Sequence, residues 1–391
     1  MNITLNTINT ISTLPETLNQ SLKSIISHLK DHTVNDHNHQ TTQSTNDGVL
    51  PHISATLIRT VLETHDTKSY FFRSEKTLNQ YKAGAHINIE FGINGEAIKR
   101  TYTLSSSPRN FSSTKQTDEF SITIKRVNEG LASNWLFENL KEGGQIKVSQ
   151  PQGNFVLPYQ PAGKILMLSA GSGVTPLMSM LRYLAEAGNR SDIVFLNYSQ
   201  SPNDIIFHDE LEQLSNTHEN IDIHFSLERD IDAPSSFSTS SVHKGRISRK
   251  QLSSIAPDIL EREIYLCGPQ TFMKATAEIL DKLKFEPSQL HLENFTADLS
   301  SSTLLGYSAE ISFTSLEGVI QSSPSKTILE EAESAGLNPA AACRTGICRS
   351  CRCKKTSGTT VNLITGEEST SAGDYILPCV SVAKTATEIE L

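Results

Sequence analysis

Cys343-Arg-Thr-Gly-Ile-Cys348-Arg-Ser-Cys351, answered downstream by Cys379 in Leu-Pro-Cys-Val, is the stretch on which the reading of this chain turns. Three cysteines spaced C-x4-C-x2-C on one loop, with a fourth far along the chain, form a metal-ligand pattern. Two irons bridged by two sulfides need four thiolates, two on each iron. A tight loop can bring three of them, and another part of the fold must deliver the last. Zinc also binds four cysteines, but zinc ribbons carry two C-x2-C knuckles and only one occurs here. A disulfide framework is the remaining alternative. Cys343, Cys348, Cys351 and Cys379 are therefore read as ligands of a [2Fe–2S] cluster.

The 391 residues exceed what one hydrophobic core holds, which predicts two or three domains. A net charge of −9, from 34 basic and 43 acidic residues, argues against a nucleic-acid binder. No long uncharged apolar run occurs, so no membrane span is expected. The amino terminus lacks the basic and apolar regions of a secretory signal. Four of the six cysteines belong to the cluster pattern, leaving Cys267 and Cys353. That usage fits a reducing compartment, and a cytoplasmic location is expected.

Residues 1–50 read as an extension. Leu18, Leu22, Ile25, Ile26 and Leu29 recur at helical spacing after Pro15. The short amphipathic helix they predict packs on the protein's own surface or docks to a partner or a membrane surface. Residues 31–46 are almost wholly polar and read as a linker. His32, His37 and His39 within it are assigned to a solvated tail rather than a metal site.

Residues 51–158 show short strands broken by Gly, Pro and Asn: Ile53–Leu62, His86–Phe91, Arg100–Leu104, Phe120–Val127 and Gln145–Ser149. That rhythm predicts a small antiparallel barrel. In Arg100-Thr-Tyr102-Thr103, side-chain alternation puts Arg100 and Tyr102 on one face and Thr103 opposite or at the strand end. The trio offers a cation for a phosphate, a ring for a flat aromatic and a hydroxyl for a ring nitrogen. Gly130-Leu-Ala-Ser133 leads into a predicted helix, Ser133–Leu140, whose first N–H groups suit a pyrophosphate. Ser133 reads alternatively as the helix N-cap.

Residues 159–300 begin with Lys164-Ile-Leu-Met-Leu-Ser169, an apolar run typical of a buried parallel strand. It runs into Gly171-Ser-Gly173-Val-Thr175-Pro176 and a periodic helix through Leu177, Met180, Leu181 and Leu184. Strand, glycine turn and helix is the dinucleotide arrangement, with Pro176 standing where the last glycine of G-x-G-x-x-G would be. Asp192–Tyr198, Ile221–Leu227 and Glu263–Cys267 are further strands of a doubly wound sheet. Residues 301–391 add a hairpin (Ile311–Thr314, Gly318–Gln321), a helix (Thr327–Ala335) and the cysteine loop. Cys353 is expected to face away from the cluster.

Three stretches carry a resemblance to a known family. Arg100-x-Tyr102-Thr103, Ile122-Thr-Ile124-Lys125 and Gly130-x-x-Ser133 resemble the FAD domain of the ferredoxin–NADP reductase superfamily. Gly171-Ser-Gly173-Val-Thr175-Pro176 and Cys267-Gly268-Pro269 resemble its NAD(P)H domain, and the cysteine spacing is similar to plant-type ferredoxins of β-grasp fold. The resemblance implies that Arg100 and the Gly130–Ser133 turn hold the FAD pyrophosphate, with Tyr102 on the isoalloxazine and Thr103 near N5. Thr103 stands where Ser is commoner, and the hydroxyl is kept. It further implies that the Gly171–Pro176 loop carries the nucleotide phosphates. Cys267, Gly268 and Pro269 would lie beside the nicotinamide, and Glu293 and Phe295 near the flavin; Cys267 reads alternatively as a buried strand residue. Arg229 and Arg246 fall where NADPH-using relatives contact the 2′-phosphate, so NADPH is expected before NADH. Ser199-Gln200 and Glu228 depart from the NADPH pattern, and solvated surface arginines are the other reading. Arg349 occupies the position after the second cysteine, where relatives commonly place Gly.

Together these imply a flavin and iron–sulfur reductase that takes a hydride from NAD(P)H and passes single electrons to a protein acceptor. Hybrid-cluster proteins, fatty-acyl desaturases and oxygenases are the candidate acceptors. The alternative is a redox sensor or cluster carrier that keeps its nucleotide domains as scaffold.

Overall fold

A computed structural model describes residues 53–76, 78–108, 119–229, 237, 241–295, 307–324, 326–346, 349–364 and 366–391. The amino-terminal helix and linker expected from the sequence, and Cys348, lie outside them.

The first sheet contains β1 (Ile53–Thr64), β2 (Thr67–Ser74), β3 (His86–Ile93), β4 (Glu96–Thr103), β5 (Glu119–Lys125) and β6 (Gln145–Val148). Its order is β4-β3-β6-β1-β2-β5, with every pairing antiparallel. A bridge between Leu104 and Ile122 brings the end of β4 back to β5 and closes a barrel. Inward positions such as Tyr70, Phe72, Ile87, Leu104 and Phe120 are buried. Helix α1 (Leu131–Asn139) covers one opening, its Trp135 ring stacked 5.2 Å from that of Phe91.

A six-stranded parallel sheet follows in the order β10-β9-β8-β7-β11-β12. Its strands are β7 (Lys164–Ala170), β8 (Asp192–Ser199), β9 (Ile221–Leu227), β10 (Ser241–Lys244), β11 (Glu263–Cys267) and β12 (Leu290–Glu293). Helices α2 (Val174–Glu186), α3 (His208–Thr217), α4 (Arg249–Ile255) and α5 (Gln270–Lys282) connect them. The central strand β7 is apolar and buried on both faces because both are covered. Ile165 and Met167 pack with Leu177 and Leu181 of α2, while Leu166 and Leu168 pack with Leu252 and Leu280 on the other side. The chain walks outward from β7 to β10, then returns to place β11 against β7. That reversal opens a crevice beyond the carboxyl ends of β7 and β11, where such sheets bind ligands.

The last module has a five-stranded sheet, β14-β13-β20-β15-β18, and a small one, β17-β16-β19. The strands are β13 (Glu310–Phe313), β14 (Ile320–Gln321), β15 (Cys353–Ser357), β16 (Thr360–Asn362), β17 (Glu368–Ser369), β18 (Tyr375–Ile376), β19 (Ser381–Ala383) and β20 (Thr387–Glu390). Helix α6 (Ile328–Ser334) starts at a capping box between Thr327 and Glu330. Cys353 packs among Ile311, Ile376 and Ile389, whereas Cys351 and Cys379 share a separate cluster with Leu329 and Val380. Arg349 takes φ +55°, the left-handed region that glycine occupies cheaply, so the loop keeps the bend and carries a strain of roughly 1 kcal/mol.

Polar contacts lock the modules together. Ser179 of α2 donates to Ser106 O at 2.8 Å, and Arg182 to Ser105 O, just beyond the end of β4. Asn88 of β3 donates to Ser350 Oγ at 3.1 Å, tying the barrel to the cysteine loop, and accepts from Thr101.

Candidate flavin and iron–sulfur site

All three modules wall a single cavity of about 420 Å3. The barrel contributes Arg100, Tyr102, Thr103, Ile124, Lys125, Gly130 and Ser133. The parallel sheet contributes Thr175, Glu293 and Phe295, and the cysteine loop Ala342, Cys343 and Thr345.

Arg100 is half-buried and donates to Lys99 O at 2.7 Å. No carboxylate among the described residues forms an ion pair with it, and burial disfavours its charge. The neighbouring charges, Arg344 and Glu333, are engaged with each other. Such a cation suits an anionic ligand. Burial also pushes the Tyr102 phenol up to about 12, so its ring enters the cavity as a neutral aromatic. Thr103 ends β4 and is 6% exposed. The Lys125 ammonium is already held by Asp66 at 2.8 Å.

The α1 entrance differs from expectation. Gly130, not Ser133, is the N-cap residue, and the helix starts at Leu131. Ser133 lies inside the first turn, where its hydroxyl accepts from Val127 N–H at 3.1 Å. Asn134 donates to the carbonyls of Val127 and Gly130, so the turn is tied down from within the helix. Glycine has no side chain to cap with, and the first helical N–H groups are left for a ligand.

At the crevice, Gly171–Gly173 forms a 3-10 turn and Pro176 falls in the first turn of α2. A Cβ at Gly173 would lie 2.3 Å from the carbonyl oxygen of Cys267. The glycine is therefore required by the close approach of two loops, before any phosphate is considered. Cys267 is wholly buried, and burial raises its thiol pKa well above normal. Cys267, Gly268 and Pro269 shape the crevice wall without lining the cavity. Glu293 ends β12 opposite Cys267, and burial pushes its carboxyl up to about 8. His86, absent from the residues singled out in the sequence, also lines the cavity, with Nδ1 4.0 Å from Glu293 Oε1.

The arginines expected at the 2′-phosphate lie at the far edge of the sheet. Arg229 donates to Gln200 Oε1 at 2.8 Å, and Arg246 grips Glu228 with two hydrogen bonds of 3.0 and 3.2 Å. Both already have partners.

Of the four cysteines, Cys343, Cys351 and Cys379 are described. The thiols of Cys351 and Cys379 lie 3.2 Å apart, so the fold brings the distant fourth cysteine back to the cysteine loop. Thr345 N–H donates to Cys343 Sγ at 3.3 Å, the kind of bond that tunes a cluster. The donor set fits a [2Fe–2S] cluster whose loop forms part of the cavity wall.

Residues 54–157 match the family model for the oxidoreductase FAD-binding domain, 167–278 that for the oxidoreductase NAD-binding domain, and 316–384 that for the 2Fe-2S iron-sulfur cluster binding domain. A glycine betaine monooxygenase reductase subunit of Chromohalobacter salexigens is 34% identical, the match covering 85% of this chain and 94% of the relative. The stachydrine N-demethylase reductase subunit Stc4 of Rhizobium meliloti is 32% identical, covering 82% and 91%. Among solved structures, phthalate dioxygenase reductase has the same fold, with a TM-score of 0.58 and 22% identity over 87% of this chain and 98% of that one.

Proposed function

Because this chain belongs to the ferredoxin–NADP reductase superfamily, as an NAD(P)H oxidoreductase with FAD and a carboxyl-terminal [2Fe–2S] domain, we propose that it is the reductase component of an oxygenase. The oxygenase acts on a small N-methylated compound of the betaine kind. Two relatives named as reductase subunits for glycine betaine and stachydrine support that acceptor over hybrid-cluster proteins and desaturases. They also make a non-catalytic cluster carrier the weaker reading.

One observation carries the proposal: a single cavity has walls from the barrel, the parallel sheet and the cysteine loop. A ligand held there touches the sides from which electrons arrive and depart. Bound FAD supplies the conversion between a two-electron donor and a one-electron cluster. The chain's own residues position and tune. Arg100 and the open N–H groups of α1 would hold the pyrophosphate, Tyr102 would pack on the isoalloxazine, and Thr103 would offer its hydroxyl to the ring. The Gly171–Pro176 turn carries the dinucleotide phosphates, Cys267-Gly268-Pro269 supports the nicotinamide, and Glu293 and Phe295 close that side. Cys343, Cys348, Cys351 and Cys379 hold the cluster. NADPH stays the proposed donor, with Arg229 and Arg246 at its 2′-phosphate.

The test is a pair of assays on the full-length chain loaded with flavin and cluster. NAD(P)H should drive reduction of ferricyanide and of cytochrome c. Cys351→Ser should spare ferricyanide and lower cytochrome c reduction about tenfold or more, since one-electron partners draw on the cluster. Equal loss in both assays would overturn the order of carriers. Mixed with a betaine oxygenase, the chain should consume NAD(P)H only when the betaine is present.

A further inference from the structure

Electrons bound for the cluster cross the junction between the barrel and the cysteine module, so the step depends on how those two are held. Among the described residues no ion pair joins the cysteine module to the barrel. A hydrogen bond does: Asn88 Nδ2 of β3 donates to Ser350 Oγ at 3.1 Å.

Asn88 stands inside a strand, where asparagine is depleted, and its polar groups are all in use. Its backbone N–H donates to Ser149 Oγ at 3.0 Å, and its carbonyl accepts from Ser149 N–H at 2.9 Å. Both backbone groups therefore point to the β6 side. On the β4 side the register sets Asn88 opposite Thr101. A pair without backbone bonds between its members brings its side chains closest. Thr101 accordingly donates to Asn88 Oδ1 at 2.7 Å.

The two ends of this chain of bonds matter. Thr101 lies between Arg100 and Tyr102 and lines the cavity. Ser350 directly precedes Cys351, in a turn closed by Arg352 N–H on Arg349 O at 3.0 Å. Two hydrogen bonds thus lead from the strand assigned to the flavin to the turn that carries a cluster ligand. The same loop lines the cavity through Ala342, Cys343 and Thr345.

We propose that Asn88 is a positioning residue for the electron step from flavin to cluster, holding the cysteine loop on the flavin strand through Ser350; this rests on the reductase reading above. The step moves one electron. Reduced flavin loses it, one ferric iron becomes ferrous, and no bond in the chain forms or breaks. Asn88 acts through distance and touches neither group. A misplacement of about 1 Å, made far from the reacting atoms, costs up to about a hundredfold in rate. One neutral amide–hydroxyl bond is too weak to keep two modules together by itself. Its part is to fix where the loop sits along β3.

The experiment is anaerobic stopped-flow on the full-length chain loaded with FAD and cluster, following the flavin and cluster absorbance bands separately after mixing with NAD(P)H. Asn88→Ala should leave flavin reduction within about twofold and slow cluster reduction about tenfold. Ser350→Ala should do the same, and the double variant should be no slower than either single one, because each removes the same bond. Ser350→Thr keeps the hydroxyl and should keep the wild-type rate. Amide hydrogen exchange gives a readout independent of turnover: Asn88→Ala should speed exchange of residues 349–352 several-fold, while the cluster midpoint potential stays put. Cluster reduction at the wild-type rate, equal slowing of both bands, or a shifted potential with unchanged exchange would overturn the assignment. If Asn88→Ala does not fold, Ser350→Ala, the loss of a single hydroxyl, carries the same expectation. Wild type whose flavin is never reduced by NAD(P)H would instead overturn the reductase reading, and the exchange result would still decide whether Asn88 holds the loop.

Discussion

Arg100 and Arg246 sit at opposite ends of the proposed electron donor and flavin path, and their surroundings could hardly differ more. Arg100 is half-buried, bonded to a carbonyl, with no carboxylate of its own among the described residues. Arg246 is exposed and doubly bonded to Glu228, with Arg229 nearby held by Gln200. A half-buried guanidinium without a counter-ion gains most when an anion arrives. An exposed one with a counter-ion must exchange a partner that salt already screens. On the proposed reading, the flavin end is thus built to hold its ligand permanently, and the adenosine end to let its ligand come and go.

The largest effect that would break this contrast is on flavin retention. Arg100→Ala should weaken FAD binding about a hundredfold, the loss of a charge-assisted bond to phosphate, read by flavin fluorescence titration. Unchanged affinity would mean that the α1 N–H groups hold the pyrophosphate by themselves. A smaller effect is expected at the other end. Glu228→Ser releases Arg246 and should raise the preference for NADPH over NADH roughly fivefold in kcat/KM. A shift toward NADH would show that Glu228 is not the restraint. Smallest is Arg229→Ala, which should raise KM for NADPH about twofold and leave KM for NADH unmoved. A large change in both would place Arg229 against the adenosine itself.

How much was legible beforehand varies element by element, for physical reasons. Strand β11, Glu263–Cys267, matches its expected bounds because Ile264 to Cys267 is a buried apolar run, and β9, Ile221–Leu227, because Ile221, Ile223, Phe225 and Leu227 recur at strand spacing. Strand β2, Thr67–Ser74, was not among the strands anticipated, since Tyr70, Phe71 and Phe72 blur its alternation. The Gly130–Ser133 turn was recognised, yet the hydroxyl of Ser133 faces Val127 N–H rather than capping the helix. A serine one turn in and a serine at the cap look alike in a string of letters. Arg349 could be seen to replace a glycine, and only the backbone shows that it accepts the left-handed conformation. His86 carried no signal at all. Between Ala85 and Ile87 it reads as one more strand residue, and its meaning comes from Glu293, delivered by a different domain.

Read alone, the sequence determined the cofactors and the order of the modules. Cluster spacing, the glycine turn and the Arg-x-Tyr-Thr strand are short-range chemistry, written within a few residues of the groups they serve. Which half-buried arginine has no paired carboxylate among the described residues, which glycine is forced by a neighbouring carbonyl, and which histidine meets the buried acid were decided only by the tertiary structure. Those properties depend on distances between residues remote in the chain, and only packing brings them together.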